Sequence, residues 1–229
     1  MLNVKSLHAA YGQSEVLHGI DLDVAPGEIV AIMGRNGMGK TTLMKTLMGI
    51  VPEKSGDIAV GDQPVTGLTS HRRVAKGIGY VPQGRMIFSS MTVQENVETG
   101  LTVTNSKTVP EDIYEMFPVL LEMKNRRGGN LSGGQQQQLA IARALASNPK
   151  VLLLDEPTEG IQPSIIREMA RTLRKIRDQK GLSIIVSEQV LSFALDVADR
   201  VMVIENGRFV HDSPRDGIDE AKVSKFLSV

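Results

Sequence analysis

The stretch Gly34-Arg35-Asn36-Gly37-Met38-Gly39-Lys40-Thr41-Thr42 constrains this 229-residue chain more than any other. It fits the pattern G-x-x-x-x-G-K-S/T, with Gly34, Gly39, Lys40 and Thr41 at the fixed places. Glycines let a backbone wrap closely around an anion and point several N–H groups inward. Lys40 adds a point charge for outer phosphates, and the Thr41 hydroxyl suits a place on Mg²⁺. The loop is preceded by the apolar run 29–33, of strand type. It is followed by a helical pattern over 41–48 whose N-terminus faces the loop. A strand, a phosphate loop and a helix in that order predict an α/β domain that binds a nucleoside triphosphate.

Composition narrows the classes. The chain carries 26 basic and 26 acidic residues, so it lacks the positive field of a dedicated nucleic-acid binder. It has no cysteine, which excludes disulfides and thiolate metal sites and fits a reducing compartment. His8, His18, His71 and His211 are scattered without ligand-like spacing, so no structural metal is expected. Residues 1–5 show no signal-peptide character, and no apolar run approaches the roughly 20 residues needed to cross a bilayer. The expectation is a soluble, cytoplasmic protein that reaches a membrane only through a partner.

Along the chain, the alternation of Leu2, Val4 and Leu7, then Val16, Ile20, Leu22 and Val24, predicts antiparallel strands turning at Tyr11-Gly12. Further strands are expected at 56–60 and 79–82, with a short helix at 71–76 between them. From 84 to 148 strand signals vanish. Thr92 and Glu95 fit a capping box. Ile113, Phe117, Leu120 and Leu121 mark a helix that Pro118 ends or kinks, and 135–146 carries Leu139, Ala142, Leu145 and Ala146 on one face. The stretch reads as an all-helical insert. Strand signals resume with 151–154 and 182–186, both continuous apolar runs suited to burial on both faces. Between them, Ile166, Met169, Leu173 and Ile176 form the inward stripe of a helix that ends at Gly181; its basic outer face reads as solvated. Asn206-Gly207 closes a hairpin, and Val223, Phe226 and Leu227 mark a last amphipathic helix.

Two motifs carry chemistry beyond the loop. Asp155 ends the 151–154 run and Glu156 follows, a position that suits one carboxylate near Mg²⁺ and one that orients or deprotonates water. Leu131-Ser132-Gly133-Gly134-Gln135 places two glycines after a serine at a helix start, exposing N–H groups to an anion.

With these motifs in this order, the whole chain resembles an ATP-binding-cassette ATPase subunit. The resemblance implies a RecA-like core with an antiparallel β subdomain over 1–83 and 149–229, and a helical subdomain over 84–148. It implies two cassettes that sandwich ATP head to tail, with Leu131, Ser132, Gly133, Gly134 and Gln135 closing the partner's site. The loop Gly34, Arg35, Asn36, Gly37, Met38, Gly39, Lys40, Thr41 and Thr42 would hold ATP, and Tyr11 would stack on adenine. Thr41, Gln83 and Asp155 would hold Mg²⁺, and Glu156 would be the base. Residues 82–88, 135–140 and 155–163 resemble uptake systems for branched-chain amino acids and urea. The stretch 117–129 and the four glutamines at 135–138 lean toward the urea type. Permease subunits, a second cassette and, indirectly, an extracytoplasmic solute-binding protein would be partners; nucleic acid would not. Residues 84–99 are the candidate permease contact.

Three departures stand out. Gln189 occupies the place of the family's switch histidine, which predicts slow or partner-dependent hydrolysis, since an amide cannot carry a proton as His⁺ does. Gln162 replaces an aspartate that signals across the dimer. Met38 is bulkier than the usual small residue. A nontransport cassette and an ATP-gated module with little hydrolysis are the rival readings.

Overall fold

The computed structural model describes residues 1–104 and 106–227. The chain opens as two long antiparallel strands, β1 (Leu2–Tyr11) and β2 (Ser14–Val24), reversing at Gly12 with φ of 60°. β3 (Ile29–Met33) enters a second sheet with all five residues buried, and α1 (Lys40–Leu47) leaves the phosphate loop directly. β4 (Glu53–Val60) and the two-residue β5 (Gln63–Pro64) complete the first sheet, in the order β2-β1-β4-β5. α2 (Ser70–Ala75) and β6 (Ile78–Val81) follow.

The described residues between 84 and 148 are helices and turns with one isolated bridge, Thr92 to Arg127. α3 (Val93–Glu98) starts on the expected capping box, in which Thr92 and Glu95 exchange side chain–backbone hydrogen bonds. The pattern over 113–121 resolves into α4 (Glu111–Met116) and α5 (Pro118–Glu122). Proline disfavours helical geometry in the residue before it, and Phe117 sits at φ −130°, ψ 70° between the two, its ring buried. α6 (Gly133–Ala146) buries Leu139, Ala142, Leu145 and Ala146 as the pattern required.

Five elements alternate from there: β7 (Val151–Asp155), α7 (Pro163–Lys180), β8 (Ser183–Glu188), α8 (Leu191–Val197) and β9 (Arg200–Glu205). β10 (Arg208–Pro214) and α9 (Glu220–Leu227) end the described chain. The second sheet has the order β10-β9-β3-β8-β7-β6, parallel except for the β9–β10 hairpin. It is covered on both faces. Ile29, Ala31 and Met33 point into a core shared with the helices, while Val30 and Ile32 point into a core shared with the antiparallel sheet and α1. Period-two alternation with apolar cover on each side explains why these strands read as unbroken apolar runs. The C-terminal ends of β3, β6, β7 and β8 lie at one edge, where an open α/β sheet collects its ligand-binding residues.

One buried ion pair braces the N-terminal part. Arg73 is fully buried, and its guanidinium donates to the carbonyls of Leu68, Thr46 and Leu47 and to both oxygens of Glu53, the latter at 3.0 Å each. Burial works to raise the Glu53 pKa, but the Gly67 amide and Arg73 outweigh it and hold the carboxyl below its ordinary 4.5. Removing one partner of such a pair leaves a buried charge, so Glu53→Gln is expected to cost about 3 kcal/mol, read in denaturant melts. Because the folded pKa is depressed, this stabilisation is present above pH 4.5 and lost as pH falls below it. The Gln variant should lack that acid-dependent step.

Candidate functional site

The phosphate loop is shaped by contacts that only glycine permits. A Cβ on Gly34 would lie 2.6 Å from the Ile204 carbonyl oxygen, and Gly39 holds φ at 110° as the residue before α1. α1 has no side-chain cap and no acid in its first turn, so its leading amides face the loop without a competing carboxylate. Met38, for which the sequence suggested no role, packs against the β-subdomain core and accepts a hydrogen bond from Gly207 N at 3.0 Å. That bond ties the loop to the Asn206-Gly207 turn.

Lys40 is buried, and its ammonium is fully engaged. It donates to the carbonyls of Gly34 at 2.7 Å and Arg35 at 3.1 Å and pairs with Glu156 Oε1 at 3.1 Å. Thr42 is also buried, and its carbonyl accepts from Thr46 Oγ1 at 2.8 Å. Asp155 accepts from Thr41 Oγ1 at 3.1 Å, Ser187 Oγ at 2.6 Å and Tyr80 OH at 3.4 Å. Burial pushes its carboxyl above the ordinary carboxylate range, against the Ser187 and Thr41 hydrogen bonds. Burial, with the Asp155 charge, also raises the Tyr80 phenol.

Glu156 is the point of convergence. Besides Lys40, it accepts from Gln189 Nε2 at 3.1 Å and from Gln83 Nε2 at 3.5 Å. Gln189 Nε2 also reaches Asn36 Oδ1 at 2.8 Å, so one amide bridges the phosphate loop and the carboxylate. The backbone of Glu156 is left-handed, with φ of 46°, a conformation that costs a residue with a side chain about 1–3 kcal/mol. Thus Asn36, Lys40, Thr41, Gln83, Asp155, Glu156 and Gln189 form one cluster. Gln162 stands apart, at the start of α7 without a side-chain cap.

Tyr11 is half exposed at the end of β1, on the hairpin whose Leu17 packs against Gly39. Leu131–Gln135 lies elsewhere. Ser132 caps α6, accepting from Gln135 N at 3.3 Å, while Gln135 Oε1 accepts from Ser132 N at 3.0 Å. Leu131 is buried, Gly133 neighbours Arg85, and a Cβ on Gly134 would come within 2.8 Å of Ile165. The hydrogen bonds of Ser132 and Gln135 given above run within the stretch itself. Sequence reasoning passed over Tyr80 and Ser187, which hold Asp155; a polar residue closing an apolar strand was the available signal. Beside the cluster, a surface groove of about 770 Å³ is lined by Met86 and Phe88 together with Ile50, Val103 and Arg143.

Three comparisons place this geometry among known proteins. The family model described as "ABC transporter" matches residues 17–159. The chain is 41% identical over 217 residues, 93% of either chain, to the high-affinity branched-chain amino acid transport ATP-binding protein BraG of Pseudomonas aeruginosa. It is 34% identical over 211 residues to the probable branched-chain amino acid transport ATP-binding protein LivF of Archaeoglobus fulgidus, covering 91% of this chain and 89% of that one. It superimposes with a TM-score of 0.84 and 25% identity on the dimeric post-hydrolysis state of the cassette MJ0796 bound to ADP and Pi, covering 95% of this chain and 100% of that one.

Proposed function

Because the chain belongs to the ABC transporter family, as an ATP-binding subunit with ATPase activity, we propose that it powers uptake of a small polar solute of the branched-chain amino acid or urea class. The observation that carries the reading is the convergence of Lys40, Gln83 and Gln189 on Glu156 beside the phosphate loop. Lys40 and the amides of Gly34, Arg35, Asn36, Gly37, Met38, Gly39, Lys40, Thr41 and Thr42 bind the phosphates, and Tyr11 stacks on adenine. Thr41 Oγ1 and Asp155 Oδ1 meet at 3.1 Å and Gln83 reaches the neighbouring Glu156, so Thr41, Asp155 and the Gln83 amide oxygen are the hard donors that would hold Mg²⁺. When bound, Mg²⁺ neutralises charge on the transferring phosphoryl group. Glu156 orients and deprotonates the attacking water, and Gln189 donates a hydrogen bond from its amide. While Lys40 holds Glu156, the base is engaged; phosphates that draw Lys40 to themselves release it.

Leu131, Ser132, Gly133, Gly134 and Gln135 close the site of a second cassette, of the same or a related kind. The nearest groups to Gly133 and Gly134 in their own chain are Arg85, Gly160 and Ile165 rather than the phosphate loop, which supports that head-to-tail arrangement, with 84–148 as the subdomain that carries them. The groove along Met86 and Phe88 receives a permease subunit, which holds the cassette at the inner face of the membrane. No helix among the described residues is long and apolar enough to cross a bilayer. The names of BraG and LivF support the amino-acid arm. The urea arm rests on the resemblance of 117–129 and 135–138. An extracytoplasmic solute-binding protein would deliver either solute.

The deciding experiment reconstitutes the subunit with its neighbouring cassette, permeases and binding protein in vesicles. ATP-driven accumulation of labelled leucine or of labelled urea is expected, with ATPase activity rising strongly in the complex. ATP binding without turnover, alone and in the complex, would instead favour an ATP-gated module.

A further inference from the structure

Three consecutive residues, Ser187 and Glu188 at the end of β8 and Gln189 just past it, each hold a different residue of the stretch from the end of β7 to Thr158. Ser187 Oγ donates to Asp155 at 2.6 Å and Gln189 Nε2 to Glu156 at 3.1 Å. Between them, Glu188 Oε1 accepts from Thr158 N at 3.0 Å and Thr158 Oγ1 at 2.6 Å. Side chains of a strand alternate in direction, and the contacts follow that rule: Ser187 and Gln189 face the two acids, while Glu188 turns to the chain where it curls back at Thr158.

The middle contact is chemically unusual. Glu188 is 2% exposed, and among the described residues it pairs with no lysine or arginine. Its other oxygen accepts from Gln189 N at 2.9 Å and Val190 N at 3.3 Å. A buried carboxylate is tolerated when donors saturate it, and here three backbone amides and a hydroxyl do so. The same segment holds Glu156 in its left-handed conformation, and such strain persists only where surrounding contacts over-determine it.

We propose that Glu188 is a positioning residue for ATP hydrolysis: its buried carboxylate pins Thr158 to the backbone of Gln189 and so fixes both Glu156 and the amide that meets it. The inference rests on the role of Glu156 proposed above. Glu188→Gln keeps the size but turns an amide NH₂ toward groups that are themselves donors, at whichever oxygen it replaces. Thr158→Val removes one donor and keeps the shape, while Thr158→Ser keeps the hydroxyl.

The test measures turnover, ATP-analogue affinity and melting temperature for these three variants in the reconstituted complex, with hydrogen exchange on the free subunit. Glu188→Gln is expected to lower kcat roughly ten- to a hundredfold, as loss of a supporting hydrogen-bond partner does elsewhere. Nucleotide affinity should stay unchanged. Thr158→Val should follow in weaker form, and Thr158→Ser should behave as wild type. The amides of Thr158, Gln189 and Val190 should be protected in the wild type and exposed by Glu188→Gln. Normal turnover in a folded Glu188→Gln variant would overturn the proposal. So would a parallel loss of affinity, turnover and melting temperature, the mark of a merely structural residue. The two readings fail separately. A wild-type complex without turnover sinks the function assigned to Glu156, whereas unprotected amides sink the clamp itself.

Discussion

Glu156→Gln is expected to bind ATP more tightly than the wild type and to hydrolyse it about 10²- to 10⁴-fold more slowly, the range a lost general base commands. The loss follows from chemistry, because the amide keeps the shape but has no lone-pair charge to take a proton from water. The tighter binding follows from the observed geometry. Lys40 lies 3.1 Å from Glu156, and both side chains are largely screened from solvent. ATP must draw that ammonium to its phosphates, so an acid that competes for it lowers affinity. Neutralising the acid removes both the competitor and a like charge beside the phosphates. Gln189 and Gln83 donate to different carboxylate oxygens; Gln189 can keep its bond to the amide oxygen while Gln83 turns its own amide to accept from the new NH₂, so the site should stay assembled. Equilibrium binding of a fluorescent ATP analogue and single-turnover hydrolysis give the two numbers, and size-exclusion chromatography with ATP should show a trapped dimer. Turnover near wild type would assign the base elsewhere.

The parts of this molecule that were legible in the sequence are those whose cause is local. The phosphate loop, the capping box at Thr92, the helix start at Ser132, the Asn206-Gly207 hairpin and the αL glycine after α7 each state their geometry within a few residues. The basic face of α7 is exposed at Arg167, Arg171 and Lys175, but Arg174 and Arg177 are half-buried and Arg177 pairs with Asp199; Met169, Leu173 and Ile176 are buried. The non-local partners were not legible. Ser187 meets Asp155 only because β7 and β8 pair in a register that sets those two residues opposite each other. Arg73 falls in the expected short helix, and nothing local shows that its side chain is enclosed by Glu53 and the carbonyls of Thr46 and Leu47, all distant in sequence, besides that of nearby Leu68. Glu188 reads as an ordinary acid after an apolar strand until Thr158 folds back onto it. Pairing register and the return path of a loop decide such contacts, and neither is written in the pattern of a single segment.

Lys40→Met is expected to remain folded and to lose ATP affinity by about 10- to 100-fold, since a hydrogen bond to a charged group contributes about 1.5–3 kcal/mol. Methionine preserves the apolar stem in a position only 3% exposed, so packing is kept while the ammonium goes. What remains is a glutamate without its cation, next to the loop where phosphates arrive, and that repulsion adds to the deficit. The two substitutions therefore interrogate each other. In the Lys40→Met background, Glu156→Gln relieves only the repulsion. With Lys40 present, it also ends the competition for the ammonium. The gain in affinity from Glu156→Gln should accordingly be larger when Lys40 is intact, and the difference between the two gains measures the pairing seen at 3.1 Å. Equal gains in both backgrounds would mean that Lys40 does not hold Glu156 before nucleotide binds. The release of the base by the incoming phosphates would then have no physical footing.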